Sequence, residues 1–188
     1  MIKMEKIEKM IDESIEAKRH LYNESGSIKK AVEAIKHCFR SGNKVLIFGN
    51  GGSAADSQHM AAEFVGRYKK ERKGLPAIAL TTDSSILTAW SNDYTYETIF
   101  ERQVESLAKK GDVLIGLSTS GNSKNVIKAM EKGKELGTIN ISLTGKKGGK
   151  LKETSDININ VESDNTPRIQ ECHLLAYHII CELVEEDL

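Results

Sequence analysis

His59 and Glu63 stand four residues apart in a stretch that reads as helix, so their side chains share one face. Histidine titrates near neutrality, and burial can lift a carboxylate toward the same range, so the pair suits general acid–base work. The bland alternative is a solvated helical pair. Against it, Met60, Ala61, Ala62, Phe64 and Val65 are apolar, which predicts a buried setting in which polar groups need partners or a task. Gln170 and His178 lie eight residues apart in the last helical stretch, about 80° around its axis, and could face one pocket. His173 falls on the other side of Gln170 and reads as structural. His20 and His37 read as incidental.

Two turns precede such helices. Gly49-Asn50-Gly51-Gly52-Ser53 follows the apolar run Val45–Ile47 and leads into the stretch carrying His59 and Glu63. Ser118-Thr119-Ser120-Gly121-Asn122-Ser123 follows Val113–Leu117 and opens a second helix. Strand, small polar turn and helix together aim N–H groups and hydroxyls at an anion, helped by the helix dipole. A plain capped turn needs one hydroxyl; the second turn offers four, of which at least one is expected to serve as N-cap. No lysine stands where a P-loop would need it, and the acidic residue that a dinucleotide site would need at the tip of the second expected strand is missing, Asp83 coming too late. The expected ligand is therefore a small monophosphate, with no nucleotide cofactor.

The elements that must carry these turns alternate. Apolar positions repeat at helical period over residues 3–22 and 28–39. Strands are expected at Lys44–Phe48, Ala77–Leu80, Val113–Leu117, Thr138–Leu143 and Ile157–Val161. Helices are expected at Ala54–Tyr68, Tyr96–Lys109, Ser123–Leu136 and Pro167–Glu185. The segment around Asp83 reads as a turn, and Lys146–Lys152 as a loop. The strands read as apolar on both faces, as when helices cover both sides of a parallel sheet. The predicted fold is a single α/β domain over residues 1–188: a doubly wound, five-stranded parallel sheet with an N-terminal helical extension, and both turns at the carboxyl ends of strands.

Composition excludes other classes. The 188 residues balance 27 Lys+Arg against 27 Asp+Glu, so no net field attracts nucleic acid or a membrane surface. The cluster Lys69–Lys73 reads as a solvated loop. No apolar span or leader pattern is found, and Cys38, Cys172 and Cys181 have no zinc-pair spacing, which predicts reduced thiols in a cytoplasmic protein.

These residues together resemble the sugar isomerase (SIS) domain family, and within it the phosphoheptose isomerases, over essentially the whole chain. The likeness runs through Gly49–Ser53, His59 and Glu63, Gly66-Arg67-Tyr68, Asn92-Asp93, Ser118–Ser123, Leu143-Thr144-Gly145 and Arg168-Ile169-Gln170-Glu171. It implies interconversion of sedoheptulose 7-phosphate and D-glycero-D-manno-heptose 7-phosphate through an enediol, in a homotetramer that holds zinc. By position it assigns Asn50, Gly51, Gly52, Ser53, Glu63, Arg67, Asn92, Asp93, Ser118, Thr119, Ser120, Ser123 and Gln170 to the substrate. His59, Glu63, Gln170 and His178 correspond to metal positions, with Glu63 as base and His178 as acid. Pro167 departs from relatives that carry an acidic residue or alanine there. Similar SIS proteins bind the bacterial replication initiator without catalysis, but lack the acidic residue and the terminal histidine that this chain has.

Overall fold

In the computed structural model, residues 3–188 are described. Helices α1 (Met4–Arg19) and α2 (Ser25–Arg40) precede β1 (Val45–Gly49), α3 (Gly52–Val65), β2 (Ala77–Ala79), α4 (Ser84–Asp93) and α5 (Ile99–Leu107). Then come β3 (Val113–Ser118), α6 (Lys124–Leu136), β4 (Ile139–Gly145), α7 (Gly149–Thr154), β5 (Ile157–Val161) and α8 (Thr166–Glu186). The five strands form one parallel sheet in the order β2-β1-β3-β4-β5. The expected strands are all present, with ends shifted by a residue or two.

Pleat alternation splits the core. Val45, Ile47, Val113, Ile115 and Leu117 face α2, α3 and α8, where Ile35, Phe64, Ile169 and Ile180 close one buried cluster. Leu46, Phe48 and Leu114 face the opposite side, against Phe100, Val104, Val126 and Met130. A Cβ on Gly116 would overlap Met130, so the missing side chain lets α6 lie close on β3.

Three expectations need correction. The strands are not apolar throughout: Asn140, Ser142 and Thr144 of β4 are buried. They are satisfied sideways, because Asn158 Nδ2 donates to both Ser142 Oγ and Thr144 Oγ1, and Asn140 Nδ2 donates to the Met130 carbonyl. The segment after Asp83 is a helix, α4, because the Asp83 carboxylate accepts from Ser85 N and Ile86 N as an N-cap. Within the expected 146–152 loop, α7 begins at Gly149, and its Leu151 N–H donates to the Gly121 carbonyl, tying it to the second turn.

The basic cluster is also more than a solvated loop. Glu185, 2 % exposed, accepts from the N–H groups of Tyr68, Lys69 and Lys70 and pairs with Arg72 Nε at 3.0 Å. Burial alone would raise its pKa, but the three N–H groups and Arg72 outweigh it and hold the carboxyl below its usual range. Arg72 in turn donates to the Glu63 and Phe64 carbonyls, closing the C-terminal end of α3. Removing Glu185 would leave the Arg72 charge uncompensated and three N–H groups without their acceptor. Glu185→Ala is expected to cost about 3–5 kcal/mol in urea unfolding, whereas Glu182→Ala, which breaks the exposed pair with Lys69, should cost under about 1 kcal/mol.

Candidate active site

Strand order reverses between β1 and β3, which pair directly with Gly49 opposite Leu117. The two turns therefore lie side by side at the carboxyl end of the sheet, where open α/β sheets bind ligands. Gly51 has φ +57°, a conformation that favours glycine, and caps the start of α3. A Cβ on Gly52 would overlap the Gln170 amide, so this glycine lets α8 bring Gln170 onto the first turn.

In the second turn, Ser118 Oγ lies 2.8 Å from Ser123 Oγ and 3.4 Å from Ser120 Oγ, and Ser120 Oγ accepts from Asn122 N. The expected serine N-cap is not made: Ser123 occupies the cap position of α6 without a side-chain cap bond, because its hydroxyl turns to Ser118. A reciprocal amide pair joins the turns. Asn50 Nδ2 donates to Asn125 Oδ1 and Asn125 Nδ2 to Asn50 Oδ1, both at 2.9 Å, while Tyr96 OH donates to Asn50 Oδ1. Asn125 and Tyr96 escaped the sequence reading, since nothing in their spacing reveals that β1 and β3 are neighbours.

About two to three helical turns into α3, His59 Nε2 lies 2.9 Å from Glu63 Oε1, and the two rings His59 and His178 stand 5.0 Å apart, edge to face. One ligand atom from each of His59, Glu63 and His178 falls within 4.8 Å of the other two. His178 Nε2 is buried without a hydrogen-bond partner. Burial and the neighbouring His59 lower the His178 pKa, against the opposing pull of Glu63. The surroundings are less buried than the apolar sequence implies: the His59 side chain is 45 % and Glu63 20 % exposed, and the neighbouring Gln58 and Ala62 of α3 are exposed as well. The two turns thus offer an anion seat, and farther along α3 and α8 a carboxylate and an imidazole with a free nitrogen lie together.

The SIS domain family model matches residues 9–145. A phosphoheptose isomerase of Aquifex aeolicus is 55% identical over 186 residues, covering 97% of this chain and 96% of the relative. The chain belongs to the SIS domain family, among the phosphoheptose isomerases. Among solved structures, the phosphoheptose isomerase of Neisseria gonorrhoeae superposes with a TM-score of 0.92 at 42% identity, covering 97% of this chain and 98% of that one. That of Francisella tularensis gives 0.94 at 37% identity, covering 99% and 100%. These relatives lend no support to the regulatory reading.

Not every residue assigned by resemblance is gathered into the crevice by this chain alone. Arg67 is exposed and pairs with Glu71 at 2.8 Å. Asn92 and Asp93 end α4, exposed, with Asn92 Nδ2 donating to Asp93 Oδ1. Thr119 is half-buried beside Ser118. Pro167 sits in the first turn of α8, where a proline costs no helical hydrogen bond.

His173 is structural, as its position suggested. It is fully buried, with Nε2–H donating to the Thr144 carbonyl at 3.0 Å, and burial pushes its pKa down to about 4. Between about pH 6.5 and 4 the unfolded chain takes up a proton that the native ring refuses, so stability falls as pH drops through this window. The loss should reach about 3 kcal/mol by pH 4. Urea unfolding at pH 7 and pH 4.5 is expected to reveal a smaller pH dependence in His173→Gln than in the unaltered protein.

Proposed function

We propose that this protein interconverts sedoheptulose 7-phosphate and D-glycero-D-manno-heptose 7-phosphate, a ketose and an aldose. The observation that carries this reading is the direct pairing of β1 with β3, which sets two anion-type turns side by side, with Glu63 and His178 gathered together farther along α3 and α8. Kinship with phosphoheptose isomerases supports the choice of sugar.

In this reading the phosphate rests on the N–H groups and hydroxyls of Ser118, Thr119, Ser120 and Ser123, while Asn50, Gly51, Gly52, Ser53 and Gln170 meet the sugar. Arg67, Asn92 and Asp93 would complete the contacts. The Glu63 carboxylate takes a proton from C1 of the ketose as His178 gives one to the C2 carbonyl oxygen, forming the enediol. Returning a proton to C2 and removing the one on O1 yields the aldehyde. Such acid–base help contributes ~10²–10⁴-fold, and fixing the phosphate supplies positional advantage beyond it.

The donor set also fits zinc. His59, Glu63 and His178 converge around a buried, unpartnered nitrogen, and Gln170 extends from the same helix as His178. Imidazole nitrogen and carboxylate oxygen are ordinary zinc ligands. Zinc bound there supplies a Lewis acid for the carbonyl and enediol oxygens. A nitrogen or oxygen that ligates a metal is withdrawn from proton transfer, so Glu63 and His178 serve the two roles in competition.

We further assign the chain to a homotetramer in the cytoplasm. The exposed apolar positions Met4, Ile7, Met10, Ile11 and Ile15 of α1 lack partners within the described residues, as expected of a surface that buries against other copies. The free, buried Cys38, Cys172 and Cys181 agree with a reducing compartment. Among the described residues, no helix is long and apolar enough to cross a membrane.

Turnover of sedoheptulose 7-phosphate by purified protein tests the assignment directly. Glu63→Gln and His178→Ala should each lower kcat at least ~10²-fold with unchanged circular dichroism; a normal kcat in either removes that residue from proton transfer. Ser120→Ala removes a donor worth about 1.5–3 kcal/mol to a charged group. It should raise KM for the phosphorylated sugar much more than for free sedoheptulose, and equal effects on both would move the phosphate elsewhere.

A further inference from the structure

Behind His59 lies a polar chain that the proton-transfer scheme leaves unused. Tyr177 is fully buried on α8, and its hydroxyl reaches across to α3, 3.0 Å from His59 Nδ1 and 3.4 Å from Asp56 Oδ1. The ring packs edge-on against both His59, at 5.5 Å, and His178, at 4.9 Å. A buried tyrosine hydroxyl needs polar partners, and these two are supplied by one face of α3, three residues apart.

The hydrogen-bond logic is directional. In the structure His59 Nε2 faces Glu63 Oε1 at 2.9 Å. A carboxylate oxygen only accepts, so the proton of a neutral ring sits on Nε2, and bare Nδ1 accepts from the Tyr177 hydroxyl. In that tautomer the nitrogen facing Glu63 and His178 is blocked. The other tautomer carries its proton on Nδ1. There Nδ1–H donates to the Tyr177 oxygen, the hydroxyl proton swings to Asp56 Oδ1, and Nε2 presents a lone pair. No net proton is gained or lost, since the one that leaves Nε2 is matched by the one held at Nδ1. A hydroxyl both donates and accepts, so Tyr177 suits either state; phenylalanine would suit neither.

We propose that the Tyr177 hydroxyl, anchored by Asp56, is the positioning group that holds the His59 ring and frees its Nε2 for a divalent metal ion at the His59–Glu63–His178 cluster. This rests on the zinc reading above. The geometry is that of a metal-ligating histidine whose second nitrogen is held by an outer partner, the loss of which typically weakens metal binding 10–100-fold. Tyr177 neighbours His178 in sequence, so one turn of α8 would deliver both a ligand and the support for the opposite ligand.

The test titrates zinc into metal-free protein against a chromophoric chelator, for the unaltered chain, His59→Ala and Tyr177→Phe. Melting of the metal-free forms reports that each is folded. The unaltered chain should bind one zinc, His59→Ala should lose most of the affinity, and Tyr177→Phe should bind about 10–100-fold more weakly. Proton–nitrogen NMR adds a signature that a packing role would not produce: zinc loading should give a slowly exchanging, downfield Nδ1 proton at His59, lost in Tyr177→Phe. If Tyr177→Phe binds as tightly and keeps that resonance, the positioning role is overturned while the metal reading stands. If the unaltered chain takes up no zinc, the metal reading falls and this proposal with it. Should Tyr177→Phe fail to fold, Asp56→Asn carries the test, with several-fold weaker binding expected and unchanged affinity overturning the proposal.

Discussion

Direct pairing of β1 with β3 is the constraint on which the site depends. The chain builds β2 between them in sequence but lays it on the outer side of β1, so two strands far apart in sequence end in adjacent turns. The pair is clamped at both ends. At the amino end, buried Asp112 accepts from Lys44 N and Lys109 N and pairs with Lys44 Nζ at 2.6 Å. At the carboxyl end, Asn50 and Asn125 exchange their amides. Together the two clamps hold two helix N-termini toward one crevice, and an anion there meets a site organised before it arrives.

The last helix completes the crevice from the opposite direction. Near its start, α8 reaches the first turn through Gln170, in the space that Gly52 leaves without a Cβ. In its middle, Tyr177 and His178 meet the ring of His59. Near its end, Glu185 gathers the Tyr68–Lys70 backbone and Arg72, which closes α3 just beyond Glu63. The helix is thus fixed to α3 or its flanks at three points along 21 residues. The ionic knot is remote from the two turns, yet it bears on where Glu63 stands, because Arg72 holds the carbonyl of that same residue.

Much of this was legible in the sequence because it is local. A strand–turn–helix transition declares itself through a switch from β-branched runs to Gly and Ser, and His59 with Glu63 through a four-residue interval. Asp83 as N-cap was equally local, and the Thr/Ser-rich surroundings that favour a turn concealed it. What the sequence withheld depends on tertiary neighbours. Polar Asn140, Ser142 and Thr144 look unsuited to a buried strand until Asn158 and Asn160 of β5 lie beside them. Arg72 looks like one more surface cation until Glu185 arrives from the far end of the chain. Asn125 and Tyr177 carry no motif at all. Conversely, the apolar residues around His59 overstated its burial, since part of that face of α3 looks out of the single chain, as does the apolar stripe of α1.

The two histidines of α8 illustrate how one helix separates structure from chemistry. Both are depressed in pKa by burial, and five residues separate them. His173 is enclosed completely, and its one hydrogen bond goes to a backbone carbonyl of β4, which cannot donate in return; the ring is locked neutral and inert. His178 is only half-buried, with its Nε2 unpartnered beside an imidazole and a carboxylate. A buried nitrogen left without a partner costs the fold about 1–3 kcal/mol. His173 carries a like cost, since its Nδ1 is also buried without a partner, so an orphan nitrogen does not by itself separate the two. What separates them is the surroundings: the open His178 nitrogen lies among ligand atoms of His59 and Glu63, whereas the fully enclosed His173 ring belongs to no such cluster among the described residues.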